Sequence, residues 1–307
     1  MPGKYDQPQK IKKKSGEIKM SELFFQCDRG AAGDIISAAL MELVPDQEKM
    51  LDKLNSMGIP GVNYVLEKKE KYGMTGNTMT VMINGEIEED AEEEHHTEHG
   101  GYCINHETYA HEAHTHGHHH EEQEHETHVH HHENHGGHCH QHMTMEKIRK
   151  IVDELQVSEK IRQNIMGIYQ IIAKAESEAH SCTVSEVHFH EVGAMDAIAD
   201  IAAVCALVEE LNPSEISASQ INVGNGTIEC AHGILPVPAP ATANILHDVP
   251  YDTGDIDGEI CTPTGAALLK YFVNRYEEEK PHGNVKNGVG FGKRTFSTPS
   301  YFKAYLV

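Results

Sequence analysis

Residues 21–43, SELFFQCDRGAAGDIISAALMEL, decide the fold class because they join an apolar strand to an amphipathic helix. The first seven residues are a short apolar run, and the eleven from Gly33 repeat apolar side chains at helical spacing. The turn between them holds Gly30, Gly33 and Asp34, so its backbone amides can approach a ligand at the helix N-terminus. An ordinary strand-to-helix turn with Asp34 as an acidic N-cap explains the same residues. The stretch therefore predicts a strand, a turn and a helix, with ligand binding at the turn left open.

Hydrophobic periodicity predicts further helices and strands along the chain. The helices are expected at 47–57, 144–155, 158–179 and 191–211, near Ala239, and from Pro263 to about Tyr276. The strands are expected at 62–72, 78–84, 215–223, 226–230, 284–289 and 301–307. Strands and helices interleave with hairpins, which favours a mixed α/β sandwich over a pure doubly wound sheet.

Residues 86–142 form a tract that cannot build a core. It contains 19 of the 25 histidines, 15 acidic residues and no Lys or Arg. Such a composition predicts a long, disordered, solvated loop inserted into the α/β domain. Imidazole and carboxylate donors suit Ni, Zn, Cu or Co, and storage or delivery of metal is the role that a stretch without fixed geometry favours. The densest candidate ligands are two triplets: His118, His119, His120, His130, His131 and His132.

Composition also bounds the domain organisation. We expect a disordered basic tail at 1–20 without the apolar segment of a secretory signal, and two halves of one α/β domain at 21–85 and 143–307. The net charge of −23 falls to −8 outside the tract, which argues against nucleic acid or an anionic membrane as the main partner. No apolar run approaches the ~20 residues of a membrane helix. Seven cysteines without a CxxC pair favour reduced thiols in a cytoplasm.

A second cluster of candidate metal ligands precedes the helix predicted at 191–211. In an extended HFHE segment, His188 and His190 project to one side and Phe189 to the other, with Glu191 next to them. Asp196 and Asp200 are four residues apart, so they share one face of the following helix. Together these side chains have the N/O composition of a divalent-metal centre. Solvated helix-bordering groups are the alternative, but the carboxylates stand among apolar residues, where an unpaired charge is costly.

Three loops are candidates for binding an anion. His232 lies in a loop rich in Gly and Pro, where a structural role and a functional role are both open. Thr262, Thr264 and Gly265 present hydroxyls and amides at a helix start, which suits a phosphate, although capping explains them equally well. The glycine-rich stretch 288–295 fails the Walker A spacing.

Four stretches in this order resemble the LarC family of nickel insertion proteins. They are CDRGAAGDIISAALMEL at 27–43, VHFHEVGAMDAIADI at 187–201, INVGNGTIECAHGILPVPAPATANIL at 221–246 and GEICTPTGAALL at 258–269. The position of the histidine tract between the two halves fits as well. The resemblance covers nearly the whole chain after the tail.

The resemblance implies a cytoplasmic nickel chelatase of the lyase class. Its substrate would be pyridinium-3,5-bisthiocarboxylic acid mononucleotide, into which it inserts Ni²⁺ to make the nickel-pincer cofactor of lactate racemase-type enzymes. The reaction would depend on CTP with Mg or Mn, through a further C-terminal domain that some members reach by ribosomal frameshifting. This chain is therefore expected to be the N-terminal portion of such a protein, with a homo-oligomer and recipient racemase-type enzymes as partners.

Within this interpretation the candidate residues divide into two groups, and none is assigned a catalytic role. The metal ligands are the six tract histidines with His188, His190, Glu191, Asp196 and Asp200. The phosphorylated substrate is assigned to Gly30, Gly33, Asp34, His232, Thr262, Thr264 and Gly265. The alternative is a non-catalytic protein that stores or delivers nickel or another transition metal, in which the folded body only presents the tract.

Overall fold

Strands from both halves of the chain lie side by side in one eight-stranded sheet. The structure, a computed structural model, describes residues 21–87, 143–187, 189, 194–230, 233–278, 285–296 and 298–307. The predictions for the basic tail and for residues 88–142, which carry the two histidine triplets, lie outside the described residues. The predicted disorder was wrong at Glu86 and Ile87, which form a short strand paired with the strand before it.

Seven α-helices and fourteen short or long strands form in the described ranges. The helices are α1 (Gly33–Met41), α2 (Gln47–Asn55), α3 (Met145–Glu154), α4 (Glu159–His180), α5 (Met195–Leu211), α6 (Pro240–Ile245) and α7 (Pro263–Phe272), with a 3₁₀ turn at Val184–Glu186. The first strands are β1 (Glu22–Gln26), β2 (Val62–Lys71), β3 (Met74–Ile83), β4 (Glu86–Ile87), β5 (Glu215–Ala218), β6 (Ile221–Asn222) and β7 (Gly224–Asn225). The others are β8 (Thr227–Cys230), β9 (Gly233–Pro236), β10 (Tyr251–Asp252), β11 (Gly258–Glu259), β12 (Arg275–Tyr276), β13 (Lys286–Gly290) and β14 (Phe302–Leu306).

The large sheet mixes parallel and antiparallel pairs. Its order is β12-β5-β1-β14-β13-β3-β2, and β4 pairs with β3. The first strand lies inside the sheet, between β14, to which it is antiparallel, and β5, to which it is parallel. Leu23 and Phe25 from β1 face the main core and are almost completely buried. The predicted mixed α/β fold class is confirmed.

Helices α1 and α5 pack on this sheet and on each other. Helix α1 approaches β13 so closely that a Cβ on Gly290 would collide with the carbonyl of Ile35. Tyr64 on β2 donates its hydroxyl to the carbonyl of Ala199 in α5 at 2.7 Å. The first turn of α1 lies against the second turn of α5, at Gly33 and Asp200, and both helices contact β3. In the described ranges, no helix has the length and apolar character needed to cross a bilayer.

Two element boundaries differ from the sequence prediction for identifiable reasons. Strand β3 begins at Met74 and not at residue 78, because Tyr72 and Gly73 alone form the turn, with φ of 56° and 71°. A two-residue turn with both φ positive matches the twist of a hairpin. Helix α7 ends at Phe272 and does not reach Tyr276. Asn274 both donates to and accepts from the backbone of Ile216, which draws the chain into β12 beside β5.

Candidate functional site

The N-terminal ends of α1 and α5 bring three carboxylates together: Asp34, Asp196 and Asp200. The backbone N–H of Asp34 donates to the Asp200 carboxylate. Gly33 lies directly against Asp200, and a Cβ at this position would overlap the Asp200 side chain. Asp196 lies one helical turn before Asp200, on the same face of α5. The structure thus unites one residue predicted for the substrate with two predicted for the metal.

Asp200 lies in an environment that disfavours its ionised form. Burial raises its pKa well above the ordinary value for Asp, and the charges of Asp34 and Asp196 raise it further. Lys293 opposes these effects and lowers the pKa in part. The residue keeps some accessible surface, but its Oδ1 atom is fully buried and has no hydrogen-bond partner among the described residues. A buried acceptor left in this way costs free energy unless a proton or a cation joins it.

Lys293 comes from the loop after β13, the same stretch that fails the Walker A pattern. Lys71 donates from Nζ to the carbonyl of Gly292 at 2.9 Å, which fixes the start of this loop. A Cβ built on Gly292 would lie 3.8 Å from Oδ2 of Asp34, so the loop passes over the first turn of α1. Sequence reasoning missed Lys293 because its role depends on the pairing of β13 with β14 and β3 and on no local motif.

Two buried tyrosines lie near the carboxylates. Tyr64 and Tyr169 are 2% and 0% exposed, and burial raises the pKa of both hydroxyls well above the ordinary value. The negative charge of Asp200 raises the pKa of Tyr64 further. For Tyr169 the further increase comes first from the charge of Asp196 and then from that of Asp200. Both phenols therefore stay protonated at neutral pH and can only donate or accept hydrogen bonds. The two buried, uncharged rings lower the local polarity around Asp200.

Phe189, which the structure describes within the HFHE segment, packs against Tyr169. Its ring meets that of Tyr169 edge to face, with 5.9 Å between the centroids, and it is only 3% exposed. Its backbone N–H donates to the carbonyl of Met143 at 3.0 Å. Phe189 therefore points into the core. The positions of His188, His190 and Glu191 lie outside the described residues, and their role as ligands stays a prediction.

The Gly30–Asp34 turn and the start of α7 pack backbone against backbone. Ala31 donates to the carbonyl of Ile260 at 2.7 Å, and Thr262 donates to the carbonyl of Ala31 at 3.0 Å. Gly30, at φ 115°, sits on the same Ile260 carbonyl, and a Cβ on Gly265 would collide with the Ala31 carbonyl. Close approach therefore requires glycine at Gly265, and close approach together with a positive φ requires it at Gly30. The two stretches predicted to hold the substrate are neighbours in space.

Capping accounts for much of the hydroxyl and amide chemistry at these helix starts. Thr262 Oγ1 accepts from the N–H of Gly265 at 3.1 Å, which is an N-cap bond, and Thr264 is buried. Asp34 is not the N-cap of α1, because Ala32 holds that position; Asp34 Oδ1 accepts from the N–H of Ile35 at 2.8 Å. Its carboxylate lies in the first turn, where the helix dipole favours negative charge. His232 lies outside the described residues.

The three carboxylates do not form a metal centre by themselves. Over the ranges that the structure describes, no three His, Cys, Asp or Glu side chains come close enough together to hold one ion. Asp34, Asp196 and Asp200 provide a partly buried anionic face on which an ion needs additional ligands from elsewhere. The segment between Phe189 and Ala194 is the nearest in sequence that carries such ligands.

Known proteins resemble this chain over most of its length. The family model described as nickel insertion protein matches residues 23–307. Proteins named pyridinium-3,5-bisthiocarboxylic acid mononucleotide nickel insertion protein are 35% identical over 289 residues in Clostridium acetobutylicum, 32% over 288 in Clostridium kluyveri and 30% over 282 in Staphylococcus saprophyticus. The alignments cover 94%, 94% and 92% of this chain but 64%, 62% and 59% of those proteins. No solved structure matches the chain.

Proposed function

This chain belongs to the nickel insertion protein family, and from that membership we propose that it inserts Ni²⁺ into pyridinium-3,5-bisthiocarboxylic acid mononucleotide. The single observation that carries the proposal to the folded body is the carboxylate group of Asp34, Asp196 and Asp200. The Oδ1 atom of Asp200 is buried and has no partner among the described residues, as is typical of a polar group that binds a ligand at a functional site. Nickel is the substrate here, together with the mononucleotide.

The chemistry requires a transfer of nickel from hard donors to soft donors. Ni²⁺ forms bonds to the two thiocarboxylate sulfurs and to the ring carbon between them, and that carbon loses its hydrogen as a proton. The nickel stays in the +2 state, because the C–H electron pair becomes the carbon–nickel bond. Imidazole and carboxylate are harder ligands than the substrate's sulfur atoms. The softer sulfur donors favour transfer of Ni²⁺ to the substrate. A carboxylate of the group is a suitable acceptor for the proton.

We assign the residues accordingly. His188, His190 and Glu191 complete the ligand set of Asp196 and Asp200, and the tract triplets at 118–120 and 130–132 collect nickel. Asp34, Gly30 and Gly33, with Thr262, Thr264, Gly265 and His232, border the place of the phosphorylated substrate. Since Thr262 Oγ1 already caps α7, backbone amides at the two turns are the groups that we expect to meet the phosphate.

The finer features of the reaction belong to the whole protein. This chain spans about 60% of the length of the relatives that it matches. We propose that CTP with Mg or Mn is used by a region corresponding to the remaining length, that the product serves lactate racemase-type enzymes, and that the protein acts as a cytoplasmic homo-oligomer with lyase chemistry. A nickel storage protein is the second candidate, favoured by the composition of the tract.

The test is a transfer reaction followed by mass spectrometry of the nucleotide. The purified chain is incubated with Ni²⁺, the thiocarboxylated mononucleotide, CTP and Mg or Mn, with and without the C-terminal remainder of a relative. We expect the nucleotide to gain one nickel in place of the displaced protons. A chain that binds nickel but leaves the nucleotide mass unchanged, even with the remainder added, is a storage protein and contradicts the proposal.

A further inference from the structure

A second buried polar group without a partner lies on β3, close to the carboxylates. Asn77 is 2% exposed, and its Nδ2 atom has no hydrogen-bond partner among the described residues. Buried side-chain donors are nearly always satisfied by protein, by water or by a ligand. No role was assigned to Asn77 from the sequence, where it is one polar residue within the turn region expected before the strand.

Strand register shows that Asn77 faces the helices. Val81 pairs with Tyr64, and the hydroxyl of Tyr64 reaches the carbonyl of Ala199 in α5. Asn77 precedes Val81 by four residues on the same strand, so its side chain leaves the sheet on the same face. Met79, between them on that face, belongs to the main core.

The neighbouring strand places Asn77 beside the first turn of α1. Gly290 of β13 pairs with Asn77, and Phe291 donates its N–H to the Asn77 carbonyl at 2.9 Å. Gly290 in turn lies against the carbonyl of Ile35, the residue after Asp34. Asn77 and the carboxylates therefore occupy the same end of the layer between sheet and helices.

The two unpartnered atoms have opposite hydrogen-bonding character. Nδ2 of Asn77 is a donor, and Oδ1 of Asp200 is an acceptor that also suits a cation. A ligand that fits both must bring an acceptor to the amide and a positive centre to the carboxylates. A thiocarboxylate bound to nickel has this character, because its oxygen is a good hydrogen-bond acceptor while its sulfur is a weak acceptor and a soft metal ligand.

We propose that Asn77 is a substrate-binding residue that donates from Nδ2 to a thiocarboxylate oxygen of the mononucleotide. A thiocarboxylate can bind a metal through oxygen or through sulfur. When the amide holds the oxygen, the sulfur is left to face the ion held at Asp196 and Asp200. Asn77 thus selects the sulfur-bound product. This inference rests on the proposed function and adds the residue that orients its substrate.

The test compares Asn77→Leu with Thr78→Val. The leucine has a similar shape and removes the donor. Thr78 is the adjacent buried polar residue on the opposite face, and its hydroxyl donates to the backbone carbonyl of Glu67. We expect Asn77→Leu to keep or raise the melting temperature, since it removes an unsatisfied amide, and to weaken binding of the thiocarboxylated mononucleotide about 10- to 100-fold. Binding of a pyridinium mononucleotide without acid groups should be unchanged, and Thr78→Val should leave both affinities unchanged.

Separate results identify which idea fails. Equal affinity of the wild type and Asn77→Leu for the thiocarboxylated mononucleotide would overturn the inference alone. A lower melting temperature with unchanged affinity would assign Asn77 to the structure and also overturn it. Asn77→Ala removes the same donor without added volume, and the affinity criterion applies to it if the leucine variant does not fold. Absence of binding by the wild-type chain would overturn the proposed function, and the inference with it.

Discussion

The histidine tract and the carboxylate group differ in how they can handle nickel. The tract, residues 86–142, has many donors and a composition that cannot bury apolar surface. The carboxylate group has three side chains, Asp34, Asp196 and Asp200, whose positions are set by two helix starts and a sheet. Capture of an ion requires only a high density of ligands, whereas transfer to a defined carbon and two sulfurs requires fixed geometry. Under the proposed function, the tract would collect nickel and the folded body would insert it.

The two regions also respond differently to protons. An imidazole in water has a pKa near ~6.5, so mild acid releases metal from such donors. For Asp200 the pKa is raised by burial and by its two acidic neighbours, so its proton leaves only above the ordinary range for Asp. A metal ion that displaces this proton would bind Oδ1 of Asp200, which has no hydrogen-bond partner among the described residues.

The largest effect is expected from His188→Ala combined with His190→Ala. Loss of two of the proposed ligands should reduce nickel transfer by about 100-fold or more, while nickel bound by the tract persists. Transfer is measured by mass spectrometry of the nucleotide, and bound nickel by elemental analysis. His247→Ala removes an exposed histidine at the end of α6 and serves as the control. Unchanged transfer in the double variant would move the insertion site away from this segment.

A smaller effect on transfer, of about 10-fold, is expected from Asp200→Asn. This variant should also be more stable than the wild type near neutral pH, by about 1–3 kcal/mol, because it removes a negative charge that is buried beside the charges of Asp34 and Asp196. Since the pKa of Asp200 is raised on folding, the wild type is stabilised below the unfolded pKa and loses that stability as the pH rises through the folded pKa. The advantage of Asn should therefore vanish in acid.

Denaturant unfolding at several pH values checks this expectation. Asp52→Asn, at an exposed position of α2, makes the same chemical change away from the carboxylate group and is the matched control. If Asp200→Asn is less stable than the wild type at neutral pH, Asp200 is held ionised by interactions that outweigh its burial, and the contrast between the two regions loses its electrostatic basis.

The smallest effect is expected from removal of the tract, by replacing residues 88–142 with a flexible linker. At saturating nickel, transfer should change by less than about threefold, because the insertion site is intact. At limiting nickel it should fall by about 10-fold, since the tract raises the local nickel concentration. A tract of the same length with its histidines replaced by glutamine separates ligand loss from shortening. Complete loss of function at saturating nickel would favour the storage protein.

Much of the fold was predictable because it depends on local signals. The strand and helix of residues 21–43, the amphipathic α4 and the proline-started α7 all appear close to their expected positions. The end of α7 was wrong because Asn274 hydrogen-bonds to Ile216, which is 58 residues away in the chain. The start of β3 was wrong because the hairpin uses only Tyr72 and Gly73 as its turn.

The candidate site was predictable in its residue types and less so in its arrangement. The i, i+4 spacing of Asp196 and Asp200 in an apolar helix is a local signal that needs no neighbour to be recognised. The approach of Asp34 depends on the packing of α1 against α5, and Gly33 permits that packing because it has no Cβ. The positions of Lys293 and Asn77 depend on strand pairing, for which the sequence carries no short-range signal.

The sequence by itself determined which atoms this protein offers: imidazoles and carboxylates in the tract, a carboxylate pair on one helix, and a mixed set of strands and helices. These properties follow from residue type and from helical and strand periodicity, which act over a few residues. Only the tertiary structure decided that Asp34 joins Asp200, that Lys293 opposes their charge and that Asn77 pairs with the residue of β13 that contacts the first turn of α1. Such juxtapositions arise from the packing of distant segments, because burial and charge interactions depend on distance in space and not on distance along the chain.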